Sequence, residues 1–134
     1  MADVTFTATA IKPAAGTQKR RVTFGATITP GKVLYLDNSD NKYKIADCTD
    51  AAKDAASAFA LSSGADGQPG MIMESGDLTC DGLTAGTVYV LSATGNICPV
   101  ADLSLATDYC TVVGAASSAT NLKVSFVVTG YKTP

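Results

Sequence analysis

Apolar and polar residues alternate with a period of two at Val4 to Ile11, Arg21 to Phe24 and Leu122 to Val127. Successive side chains of a strand point to opposite faces, so this alternation, in runs rich in Val, Thr and Phe, predicts half-buried strands. Further strands are predicted at Lys32 to Asp37, Tyr43 to Ala46, Ala58 to Leu61, Met71 to Glu74, Thr87 to Ser92 and Tyr109 to Gly114. Gly, Pro and Asn clusters punctuate them regularly, as in an all-β sandwich or small β-barrel. Asp47 to Ala58 is the one stretch with a helix-start pattern, and its shortness fits a loop equally well.

The chain also matches itself. An offset of 55 residues lays Ile28-Thr29-Pro30-Gly31-Lys32-Val33-Leu34-Tyr35-Leu36 on Leu83-Thr84-Ala85-Gly86-Thr87-Val88-Tyr89-Val90-Leu91. The same offset pairs Asn41 with Asn96, Ala46-Asp47 with Ala101-Asp102, and Ser62-Ser63 with Ser117-Ser118, and it carries Met71-Ile72-Met73 onto Phe126-Val127-Val128. Eleven of 49 positions are identical, and they fall on turns and strands. The expectation is one β domain, residues 28–134, made of two repeats, 28–76 and 83–131, that share a core because a few isolated strands cannot cover their own apolar face. Residues 1–27 stand outside it as an N-terminal strand and basic arm, whose Lys12 to Arg21 stretch reads as a mobile loop.

Charge sharpens this division. Residues 1–44 carry seven Lys/Arg against three Asp, residues 45–122 carry one Lys against nine Asp/Glu, and the last twelve residues add two Lys. A nucleic-acid-binding surface would be basic throughout, so the acidic majority argues against DNA or RNA and favours protein partners or further copies of the chain. Lys12, Lys19, Arg20 and Arg21 are the densest positive charge and the candidate partner-binding residues. The plain alternative is a solvated hairpin tip, since exposed ion pairs contribute only about 0–1 kcal/mol each.

With 134 residues, 46% hydrophobic and 16% charged, the chain has enough apolar sequence for a single core. His and Trp are absent, which removes the commonest general base, the commonest zinc ligand and every Ser-His or Cys-His pair. Cys48, Cys80, Cys98 and Cys110 contain no C-x-x-C pair, and with neither a signal sequence nor a long apolar run a cytoplasmically made protein with reduced, mostly buried thiols is expected. No membrane contact is expected.

Few residues invite chemistry. Asp37-Asn38-Ser39-Asp40-Asn41 alternates oxygen ligands, but it lacks the central Gly and distal Glu of a calcium loop and sits where a hairpin turn belongs. Gly64 to Gly70 is Gly-rich without the Gly-Lys-Ser/Thr of a phosphate loop, and reads as an inter-strand turn. Glu74 and Asp77 could be an acid/base pair only with a pocket around them. The expectation is a non-enzymatic protein with no metal and no cofactor.

The runs Gly25 to Asp37, Lys42 to Asp47, Gly67-Gln68-Pro69, Glu74 to Leu78 and Gly86 to Pro99 resemble the small capsid cement or decoration proteins of tailed bacteriophages. The resemblance covers residues 25–130. It implies a jelly-roll-like domain bound in many copies to the exterior of the virion capsid, where it stabilises the lattice of the major capsid protein and associates with itself as a homodimer or homotrimer. Similar modules occur in head and tail fibres, so a fibre module presenting a receptor- or carbohydrate-binding surface is the alternative.

Overall fold

The computed structural model describes residues 11–13, 19–48, 53, 55–92, 95–99 and 109–132, with backbone alone at 12–13, 109–110 and 128–132. It is all-β. Among the described residues eleven strands run β1 (Lys12–Pro13), β2 (Arg20–Thr23), β3 (Val33–Asp37), β4 (Lys42–Ile45), β5 (Ala56–Ala60), β6 (Pro69–Met73), β7 (Ser75–Thr79), β8 (Val88–Leu91), β9 (Ile97–Pro99), β10 (Tyr109–Ser118) and β11 (Asn121–Lys132). They form two antiparallel sheets, ordered β1-β7-β11-β10-β8-β9 and β2-β6-β5-β3-β4. Apart from β1, successive strands stay in one sheet until Glu74, the single residue between β6 and β7, where the chain turns into the other. A jelly roll, by contrast, alternates between its sheets.

Taken 55 residues apart, β2 to β6 correspond one for one with β7 to β11, and the five strands have the same order in both sheets. The turns agree as well. Gly31 and Gly86 have φ of 91° and 80°, a region that disfavours any side chain, and their N–H groups donate to the carbonyls of Ala60 and Ala116 at 2.9 and 2.8 Å. Lys32 N–H to Thr29 and Thr87 N–H to Thr84 close the same tight entry to β3 and β8. A bulge opposite Leu34/Tyr35 in β5 has its counterpart in β10 opposite Tyr89/Val90. The ungapped register, however, ends at the last strand: Phe59 pairs with Met73, whereas Gly114 pairs with Val124, four residues short of Val128. The cause is the connection, which spans 61–68 in the first half and only 119–120 in the second.

Among the described residues two apolar clusters hold the fold. The larger lies between the sheets and draws on Val33, Tyr35, Phe59 and Met73 from one and Leu78, Tyr89, Leu91, Val113, Leu122 and Val124 from the other. Phe59 and Phe126 meet there with ring centroids 5.7 Å apart. The smaller lies on the opposite face of the β2–β6 sheet and comprises Phe24, Ile28, Leu34, Tyr43, Ala58, Ala60 and Ile72. That sheet curls around it. Phe24 bridges Tyr43, and Gly25 N–H donates to the Tyr43 carbonyl at 2.8 Å, so the two edge strands β2 and β4 meet as in a small barrel.

The strand expectations from Arg21 onward all have counterparts, but the stretch from Lys12 to Arg21 differs from the loop expected. Its two ends are strands, Lys12–Pro13 beside β7 and Arg20–Thr23 beside β6. Arg20 to Thr23 therefore belongs to the domain rather than to an arm outside it. The strand expected from Val4 and the equivalence of Ala46 with Ala101 fall outside the described residues. No helix forms among the described residues of 47–58, and Ala56 to Ala58 are strand.

Candidate functional site

The basic residues are divided between the two sheets. Lys12 lies in β1 of the six-stranded sheet, while Arg20 and Arg21 lie in β2 of the other with Lys19 just before them. Arg20 is committed within the protein: its Nε is 2.8 Å from Glu74 Oε1, its guanidinium lies 5.8 Å from the Tyr43 ring centroid, and it donates to the Tyr43 hydroxyl. Lys19 and Arg21 are exposed, with no hydrogen bond or ion pair to a side chain among the described residues. A cleft of about 160 Å³ opens beside them, lined by Lys19, Arg20, Ile72, Glu74 and Ser75.

β2 is an edge strand, and its backbone polarity follows from its neighbour. Met71 N–H donates to Ser62 Oγ at 3.0 Å and its carbonyl accepts from Leu61 at 2.8 Å, so residue 71 faces away from β2. In an antiparallel ladder the residues on either side then face β2, which places Ile72 and Gly70 in bonded pairs with Arg20 and Val22. The N–H and C=O groups of Arg21 and Thr23 point away from β6, on the side where β4 closes on β2 through the Phe24–Tyr43 bridge. Pleating puts Lys19, Arg21 and Thr23 on one face and Arg20 and Val22 on the other.

The remaining candidates resolve into structural roles. Asp37 to Asn41 forms the β3–β4 hairpin turn: Asn41 takes φ of 59°, Ser39 N–H donates to Asp37 Oδ1 at 2.9 Å, and Lys42 N–H to Asp40 Oδ1 at 3.1 Å. Its two carboxylates both hold Lys44, at 2.6 and 3.1 Å. The Lys44 hydrogen bond, followed by those of Ser39, keeps the Asp37 carboxyl well below the usual carboxylate range, and Asp37 then Asp40 keep the Lys44 ammonium above its own. Glu74 pairs with Arg20, and Asp77 lies 3.4 Å from Lys123. The glycines Gly64 and Gly70 leave room for Phe24, since a Cβ on either would overlap its ring.

Cys48, Cys80 and Cys98 are buried and in no disulfide among the described residues, and the Cys110 side chain lies outside them. Burial, with the Asp81 charge adding to it, pushes the Cys80 thiol up to about 11. Among the described residues no three His, Cys, Asp or Glu side chains converge as a metal site, and no helix is long and apolar enough to cross a membrane. Sequence reasoning missed Glu74 as the partner of Arg20 and Tyr43 as its platform. Their separations along the chain carry no local signal.

No family model matches the chain, and neither the curated proteins nor the solved structures yield a relative.

Proposed function

We propose that the protein is a non-enzymatic virion component, built of two copies of one β unit, that binds the outside of a bacteriophage capsid and cements its major capsid protein. The observation that carries the binding role is an exposed basic strand, with Lys19 and Arg21 uncommitted to acidic side chains among the described residues, at the edge of a molecule whose middle is strongly acidic. The capsid as partner rests on the sequence resemblance, and the matched strand order of the two sheets supports the two-copy reading. Cementing needs no catalytic group. A protein that binds the assembled shell and not its separated subunits stabilises the shell by mass action. Closed symmetry in such a lattice favours a homodimer or homotrimer.

Purified protein added to phage heads stripped of their decoration tests this reading. Cryo-EM density over the whole head, with a raised temperature of head disruption, is the expected result. Density confined to the tail or to sparse projections would assign the protein to a fibre instead, and absence of binding would reject both.

A further inference from the structure

We propose that Glu74 is a hinge at which two copies of the chain exchange their second halves, residues 75–134 of each closing on residues 1–74 of the other. The surface exchanged is the larger core itself. Tyr35, Phe59 and Met73 precede Glu74 in the chain and Leu78, Tyr89 and Leu122 follow it, so neither half completes that core alone. The polar contacts across the seam divide at the same point. Gly95 N–H donates to the Ala46 carbonyl at 2.7 Å, Lys32 Nζ to Asn96 Oδ1 at 2.8 Å, and Lys12 pairs with Thr79. Each joins a residue of 1–74 to one of 75–134, and each forms in the same way whether the two belong to one chain or to two.

The connection decides between these arrangements. β6 and β7 lie in different sheets with Glu74 alone between them, and among the described residues no backbone hydrogen bond closes across it. Gly76, two residues on, has φ of 111°, and glycine reaches the extended alternative without steric cost. Straightening at Glu74 therefore runs Pro69 to Thr79 as one extended strand and carries the second half away from its own first half, towards a neighbour's. Arg20, 2.8 Å from Glu74, braces the bend only through an exposed ion pair, which contributes little. Exchange of units between copies is a characteristic behaviour of chains built from repeats, and it keeps every contact of the closed form except the bend. Two copies satisfy each other completely, so the product is a closed dimer.

The hinge gives the homodimer of the capsid-binding reading a structural form, but it rests on the fold alone and is tested without a capsid. The full chain is refolded at about 10 μM and at about 1 mM, the upper value matching the effective concentration of a short tether, and the products are sized by light scattering. Monomer at the lower concentration and a dimer at the higher are expected. Inserting Gly-Ser-Gly-Ser after Glu74 should lower the dimer fraction by about tenfold or more, because a slack link lets each copy close on itself. Deleting Glu74 should raise it. Lys12→Cys combined with Thr79→Cys reports which copy supplies each half, since facing residues of paired strands are within disulfide reach. After mild oxidation the monomer should carry the link within one chain, while the dimer should run as two joined chains until reduced; neither single variant should do so. Wild-type monomer at both concentrations would overturn the proposal, as would a dimer of the double variant whose chains separate without reductant, or a dimer fraction that the insertion leaves unchanged. If the deletion variant does not fold, the insertion and the cross-link still decide. An exchanged dimer that fails to attach to stripped heads would sink the capsid reading and leave the hinge standing; heads decorated by a chain that never exchanges would do the reverse.

Discussion

Gly70 shows how one residue carries the curvature of a sheet. It lies in β6 opposite Val22, and the Phe24 ring occupies the space where its side chain would be, in the cluster that the curled sheet encloses. Gly70→Ala should destabilise by about 1–3 kcal/mol through overpacking. Coupling can be read directly: Gly70→Ala combined with Phe24→Leu should lose less than the sum of the single losses, because the smaller side chain vacates the contested space. Denaturant unfolding of the four proteins measures this, and strict additivity would contradict it. At the hairpin tip the sign of the pH dependence follows from Asp37. Its carboxyl is held below its ordinary 3.8, so its contribution is present above that pH and is lost as pH falls towards the folded-state value. Lys44, raised above its ordinary 10.5, contributes below that pH and loses its share as pH climbs past it. Thermal melts should therefore decline on the acid side below about pH 4, and Asp37→Asn should lower the neutral plateau slightly while flattening that decline. The effect is small because both side chains reach solvent.

At the scale of strands, what could be foreseen and what could not divide along packing. β3, β8 and β11 bury alternate or continuous apolar residues, so their composition alone marks them as strands. β7, Ser75–Thr79, has Leu78 as its only fully buried residue, with Gly76 and Asp77 beside it; its strand state comes from pairing with β1 and β11, which no local pattern records. β9 contains Pro99, which signals a loop in sequence but is tolerated at a sheet edge, where β9 lies. The basic run around Arg20 looked like a loop because charge and nearby Pro and Gly are loop signals, yet exposed edge strands favour charged residues for their own reason. The candidate site was thus legible as residues and illegible as geometry: Lys19 and Arg21 could be named, but Glu74 and Tyr43 reach Arg20 only through the fold. The cysteines belong to this scale as well, because strand packing buries them. In native protein at about pH 8, iodoacetamide should leave Cys48, Cys80 and Cys98 unmodified and should label all three after unfolding, as read by peptide mapping. Rapid labelling of Cys80 in the folded chain would contradict both its burial and its raised pKa.

The whole molecule is less symmetric than its strand order. Both sheets face the shared cluster, but the second cluster lies wholly within the half that ends at Glu74, and among the described residues the other sheet has no counterpart enclosed by its own curl. Its outer face instead leaves Val88 and Val127 exposed, at 40% and 52%. The division point is sharp, since one residue separates β6 from β7. Residues 1–74 therefore retain a core of their own when separated, though with the Val33, Tyr35, Phe59 and Met73 face uncovered. Residues 75–134 lose the opposing wall of their only described core, together with the β1 pairing. Loss of such burial removes about 25 cal/mol for each Å² left in water, more than a sheet of this size can forgo. Expressed alone, 75–134 should show no cooperative thermal transition by circular dichroism, while 1–74 should be compact and bind hydrophobic dye at its uncovered face. Mixing the two should restore one cooperative transition and release the dye, because each supplies the wall the other lacks. A cooperative melt of 75–134 by itself would show that the second sheet holds a core independent of the first, and the matched strand order would then describe two autonomous units rather than two halves of one.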